Sequence, residues 1–293
     1  MDYGLCLPNF REGAAREGME AGAEAAQRLG WSTVWTTDHV MVPSSAADDY
    51  GTNYDAIEVL AWIGAKFPDL RLGTSVIVVP QRNAVVLAKE LASIDALSGG
   101  RLIAGVGAGW NEEEFANLGV QDRFHVRGAY LDETIDLWRH LWSGSKEPFH
   151  GRFHGSDDFV FAPLPAQRAA VPIAVGGRAE PALRRAGTKG DWYHSSATSA
   201  AKYAERVPVI RAAAEAAGRQ MPRLTARAWT EFGDATSNHY AIRGTVDEMV
   251  AEIRAFAGLG VDHLAVWFDA TDPEELVGLM ERFAREVAPP VEG

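Results

Sequence analysis

Only one cysteine occurs in 293 residues, Cys6, so no disulfide can form within the chain and the residue is expected to pack inside a first strand. Positive charge is also scarce. The chain has 28 Lys and Arg against 40 Asp and Glu, a formal net charge of -12, which argues against nucleic-acid binding of the kind that rests on a basic face. An anionic small ligand would need a local cationic site. No uninterrupted apolar run approaches the roughly 20 residues of a membrane span, and no basic-then-apolar leader opens the sequence. The expectation is therefore a cytoplasmic protein with a small-molecule substrate and no membrane partner.

What the chain does have is apolar strands alternating with amphipathic helical segments, unbroken by low-complexity sequence. With 47% hydrophobic and 23% charged residues it can bury a large core. Strands are expected at Tyr3 to Leu7, Thr33 to Thr36, Ser75 to Val79, Leu102 to Val106, Ile173 to Val175, Trp192 to His194, Leu224 to Thr230 and His263 to Phe268. Eight of them, with helices between, predict an α/β fold of the (β/α)8 TIM-barrel class spanning 1–293 as one domain. Leu131, Ile135, Trp138 and Trp142 share one helix face, as do Leu276, Met280, Phe283 and Val287. Asp272-Pro273 starts the last helix, and Thr245 with Glu248 forms a capping box. Segments 43–54 and 143–170 exceed the minimal repeat and read as insertions at the active-site rim. His150 and His154, in the second, are separated by turn glycines, so no metal site is expected there.

Gly73 to Trp110 is the most telling stretch. Ser75 to Val79 is continuously apolar after its serine, and Pro80 stops it. Asn83 can cap a helix in which Leu87, Leu91, Ile94 and Leu97 recur on one side, and Gly99 and Gly100 suit the left-handed turn that ends it. Leu102 to Val106 then empties into Gly107, Ala108 and Gly109, where small side chains admit a ligand to the backbone. Strand C-terminal ends are where such barrels bind ligands. At the end of the second strand, Asp38 and His39 supply a carboxylate and an imidazole, which suit proton transfer beside a redox ring; alternatively Asp38 is a helix cap and His39 a bystander. Gly176, Gly177 and Arg178 stand at a strand-to-helix turn, where exposed backbone N–H groups and a helix start suit a phosphate. Arg184, Arg185 and Lys189 extend the positive charge. Trp110 and His194 are candidates for the substrate pocket. Asn9, Trp229, Glu231, Trp267 and Asp269 follow by position alone, while His125, His140, His239 and His263 default to structural roles.

The wording of these motifs, S-G-G-R-L before one strand, G-V-G-A-G-W after it, W-S-T-V-W-T-T-D-H at 31–39 and P-I-A-V-G-G-R at 172–178, resembles the bacterial-luciferase-like oxidoreductases. The resemblance implies a redox cofactor. Deazaflavin-using members carry an Asp-His pair where many flavin monooxygenases carry Glu-His-His, so Asp38-His39-Val40 implies coenzyme F420 over FMN. It further implies His39 as proton donor or acceptor, a cofactor phosphate at Gly176 to Arg178, and a non-proline cis peptide at Ser75-Val76 pressed against the ring. Hydride transfer between the deazaflavin C5 and an organic substrate is the implied reaction. A sugar phosphate is disfavoured, because 200–230 offers no clear counterpart of the lysines that bind it elsewhere in the family. Two alternatives stand: an FMN-dependent two-component monooxygenase, and a non-catalytic barrel that keeps the cofactor as carrier or sensor. A homodimer is expected from the resemblance and from Trp62, Phe67 and Trp138 on outer helices.

Overall fold

Alternation of buried β-branched runs with helices closes into a barrel in the computed structural model, which describes residues 1–234 and 240–289; His239 lies outside them. The strands are β1 (Asp2–Cys6), β2 (Thr33–Thr36), β3 (Arg71–Thr74), β4 (Ile77–Val78), β5 (Leu102–Gly107), β6 (Phe149–His150), β7 (Gly155–Ser156), β8 (Ile173–Gly176), β9 (Trp192–Ser196), β10 (Arg223–Phe232), β11 (Ala241–Gly244) and β12 (Val261–Trp267). Parallel pairing runs β12-β1-β2-β3-β5-β8-β9, and β9 pairs with β10, which pairs with β12, so these eight strands close into a ring. β11 joins the far end of β10, and β4 pairs with β5.

The expected strand Ser75 to Val79 is the clearest correction. The ladder stops at Thr74, resumes only for Ile77–Val78, and turns into a 3-10 segment, Val79–Gln81. The Ser75-Val76 peptide between the two pieces is cis, as the resemblance implied. Continuous β-branched sequence reads as one strand, and nothing local announces the break.

Caps and faces follow the sequence closely. The Asn83 side-chain oxygen accepts from the Val85 and Val86 amides at 3.0 and 3.1 Å, and the Thr245–Glu248 capping box is present. Leu87, Leu91 and Ile94 are buried, but by Leu97 the helix has rotated off that stripe, and this residue is 90% exposed. Trp138 and Trp142 donate to the Ala84 and Ala88 carbonyls at 2.8 and 3.1 Å, joining helix Arg127–Ser143 to helix Ala84–Leu97. That use of Trp138 removes it from any outer surface, and Phe67 is buried too, so two of the three aromatics expected at a dimer contact are core of the protomer.

Inside the barrel, Trp35 fits because its neighbour in β3 is Gly73, where a Cβ would stand 2.3 Å from the indole. Cys6 packs in the same interior cluster, and burial pushes its thiol up to about 11, leaving it a poor nucleophile. Segment 43–54 supplies a short helix, Ala47–Tyr50, to the barrel mouth. The second insertion does not stay at the rim. Its β6–β7 hairpin is held on helix Arg127–Ser143, where Glu133 accepts from the Arg152, Phe153 and His154 amides.

Candidate active site

The end of β2 carries His39 into the barrel mouth, and its partner is not the adjacent Asp38. His39 Nδ1 lies 3.0 Å from Glu114 Oε2, while Glu114 Oε1 accepts from the Val40 amide at 2.9 Å. Both side chains are nearly inaccessible, at 7% and 1% exposure. Burial would raise the Glu114 carboxyl, but its bonds with His39 and Val40 hold it below the ordinary carboxylate range. A carboxylate can only accept, so the His39 proton is assigned to Nδ1. Nε2 makes no hydrogen bond among the described residues. The ring stands 4.1 Å from Tyr50 and 6.3 Å from Trp110, which is 60% exposed at the rim.

Glu114 went unnoticed in the sequence because Glu112-Glu113-Glu114 reads as an acidic first turn facing water. Asn111 caps that helix by accepting from the Glu114 amide at 3.1 Å, and the phase so set turns Glu114 and Phe115 inward while Glu112 and Glu113 stay exposed. The cap after Gly107 to Trp110 was the available signal.

Asp38 has a different role from the one its position suggested. Its oxygens accept from the Val78 amide at 2.9 Å and from Arg82 Nη2 at 2.6 Å, and the same Nη2 reaches Asp55 at 2.6 Å. The group ties the loop after β2 to β4 and the start of helix Ala56–Lys66. Asn9 is a similar clamp, donating to the Thr37 carbonyl at 2.8 Å and accepting from its amide at 2.9 Å.

Ser75 and Val76 form the floor of the mouth. Gly107 and Gly176 prove to be packing glycines: a Cβ on either would meet the Val76 methyls, at 2.6 and 2.9 Å. Space that the sequence assigned to a ligand is thus filled by Val76. Gly109 likewise makes room for Val78 and Phe115, while Ala108 packs half-buried against the core. His194 lies deeper than a pocket wall, 1% exposed and stacked on Trp35 at 4.4 Å. Thr225 donates to the Tyr193 carbonyl, so it accepts from His194 Nδ1, and His194 Nε2 is left to accept from Ser75 Oγ at 2.9 Å. The Ser75 hydroxyl therefore points down into the barrel. Burial holds the His194 imidazole well below its ordinary value.

Gly177 has φ of 115°, which a side chain rarely adopts, and its carbonyl accepts from Tyr193 Oη at 3.1 Å. Helix Glu180–Lys189 starts just beyond with no side-chain cap; Pro181 has no N–H and the Ala182 amide is bonded to the Ala179 carbonyl at 2.9 Å, which leaves the Glu180 amide for a ligand, and Arg178 is exposed beside it. The further positive patch is not available. Arg184 pairs with Glu180, Arg185 with Asp132 and Lys189 with Asp136, each at 2.6 Å.

Two arginines that sequence reading passed over complete the mouth. Arg227, an inward position of β10, donates from Nη1 to the Ser75 carbonyl at 2.9 Å, and Arg11 lies over Trp229 and Trp267.

Residues 1–232 match the family described as luciferase-like monooxygenase. A Mycobacterium tuberculosis protein described as uncharacterized is 33% identical over 185 residues, 59% of this chain, and the match spans only 63% of that relative's length. An F420-dependent glucose-6-phosphate dehydrogenase of Kineococcus radiotolerans is 32% identical over 200 residues, 67% of this chain and 58% of the relative. A solved F420-dependent secondary alcohol dehydrogenase superposes with a TM-score of 0.83 at 18% identity, covering 99% of this chain and 98% of the other. Closed parallel barrel, matched residues and relatives agree: the chain belongs to the luciferase-like monooxygenase family.

Proposed function

We propose that the chain is an oxidoreductase that uses coenzyme F420 and moves a hydride between the deazaflavin C5 and a small organic molecule. The observation that carries this is His39, held by the buried Glu114 with its Nε2 unengaged at the mouth of the barrel. The F420-dependent dehydrogenase among the relatives supports the choice of cofactor.

The residues present fit such a group. Gly177, Arg178 and the uncapped start of helix Glu180–Lys189 would take a phosphate. Val76, braced by Gly107 and Gly176, gives a rigid apolar floor for a flat ring, and the inward-turned Ser75 hydroxyl leaves that floor without a competing donor. When bound, F420 supplies the carbon centre that gives or takes a hydride. The protein's share is the proton. His39 Nε2 accepts it from, or returns it to, a substrate oxygen, and Glu114 stabilises the imidazolium while it exists. Asp38 acts at one remove, fixing the loop on which His39 sits through Val78 and Arg82.

A fluorescence titration of the purified protein with F420 and FMN side by side tests the assignment. F420 should bind at least about tenfold more tightly. Preference for FMN would replace this reading with the flavin monooxygenase one, and tight F420 binding without turnover across alcohols, aldehydes and enones would leave a carrier.

A further inference from the structure

The geometry points to a second anion site at the barrel mouth, built to hold the carboxylate of a substrate with a flat, apolar body. It rests on three buried donors that lack acceptors around one aromatic cluster: Arg227 Nε, Arg11 Nη1 and Trp267 Nε1. Arg227 is 8% exposed. Its Nη1 is spent on the Ser75 carbonyl, so the Nε–Nη2 edge, the fork that fits a carboxylate with two parallel hydrogen bonds, is unengaged among the described residues. No carboxylate of the described chain comes within ion-pair distance of it, although the chain carries an excess of acidic residues. Burying a cation without a counter-charge is expensive unless a ligand supplies one.

The three donors are contiguous. Arg227 lies under Phe10 at 5.3 Å, Phe10 packs on Trp267 at 5.5 Å, Trp267 on Trp229 at 4.1 Å, and the Arg11 guanidinium lies 4.8 Å over Trp229. Asp49 faces Arg11 on its other nitrogen, Nη2, at 3.7 Å, and Nη1 is buried with no acceptor among the described residues. All three groups can only donate, so their common ligand must be an acceptor. Phe10 and Trp267 are each 2% exposed, so the partly buried Trp229 and Tyr50 are the rings that can meet a planar or aliphatic body.

Position separates this anion from the cofactor's phosphate. Arg11 follows β1 and Gly177 follows β8, and these strands lie four places apart in the ring of eight, on opposite sides of the mouth. The proton-handling residue is close by: Tyr50 bridges His39 at 4.1 Å and Phe10 at 6.1 Å. That the carboxylate belongs to a substrate rests on the oxidoreductase reading above; that an organic acid binds here does not.

Calorimetry on the full chain, with and without F420, tests it with benzoate, phenylacetate and 3-phenylpropanoate, each against its primary amide. At least one acid should bind about tenfold or more tightly than its amide, since the amide cannot take a charge-assisted fork. Arg227→Gln and Arg11→Gln should each remove most of that preference, and Arg11→Gln should do so while changing F420 affinity less than about threefold. Equal affinity for acid and amide across the three pairs, or no binding of any, overturns the site; this comparison needs only the wild-type protein. Arg227→Gln weakening F420 tenfold with acid preference intact overturns it too, and gives Arg227 to the cofactor. Acid preference without any F420 binding would retain the site and discard the oxidoreductase reading.

Discussion

His39 has one buried acidic neighbour, and that neighbour decides which substitution is informative. His39→Ala would strand the Glu114 carboxylate, a loss of about 1–3 kcal/mol in stability mixed with any loss of chemistry. His39→Asn keeps an N–H near the Nδ1 position and removes only Nε2. We expect it to slow turnover about 100-fold or more, with a denaturation midpoint nearer to wild type than that of His39→Ala. Wild-type turnover in His39→Asn would make the residue a bystander. At Gly177 the structure sharpens what the motif suggested: an added Cβ would meet Ala182 at 2.8 Å at a φ of 115°. Gly177→Ala should lower both F420 affinity and the melting temperature, whereas Arg178→Ala, on an exposed side chain, should cost about 1–3 kcal/mol of binding and leave melting unchanged. The placement of His39, Gly177 and Arg178 at strand ends was legible, because strand ends and glycine turns are local features. Glu114, Arg227 and Arg11 were not. Each owes its role to a residue far away in sequence, and no spacing rule covers that.

The loops after β2 and β4 are joined by Asp38, Arg82 and Asp55. Burial works against the Arg82 cation, and the two carboxylates outweigh it. Removing one charge of such a buried pair leaves the other undercompensated. Asp38→Asn should therefore cost about 3 kcal/mol by chemical denaturation, and less in an Arg82→Met background, where the cation is already gone. Additive losses would show that the pair is not coupled. The same loops explain why element boundaries near the site were harder to read than those elsewhere. Thr33–Thr36 was bounded correctly by its own sequence, while Ser75 to Val79 was broken by Val76 entering the space left by Gly107 and Gly176, two residues on other strands.

A polar string crosses the barrel from Ser75 through His194 and Thr225, and Trp35 stacks on it while donating to His263 Nε2 at 3.1 Å. His194 is kept neutral by burial, so between its lowered folded value and the ordinary 6.5 the unfolded chain binds the proton more readily. Stability should be full above about pH 6.5 and fall below it, by up to about 1.4 kcal/mol per pH unit from this residue. His194→Asn should flatten the dependence of unfolding free energy on pH below about 6.5 by up to one proton; an unchanged slope would remove His194 from the account. At the level of assembly, Trp138 and Phe67 are spent within the protomer, so the homodimer rests on the family resemblance and on the partly buried Trp62. Monomeric sedimentation at micromolar concentration would end it.

The order of strands and helices, the helix caps and the Asp-His and Gly-Gly-Arg motifs are written in the sequence, because each depends on backbone preference or periodicity within a few residues. What only the tertiary structure decided is partnership. Closing the barrel set His39 against Glu114 rather than Asp38, paired Arg185 and Lys189 with Asp132 and Asp136, and drew Arg227 across to Ser75, 152 residues away. Hydrogen bonds and ion pairs act over a few ångströms, and only the closed sheet sets which distant side chains come that near.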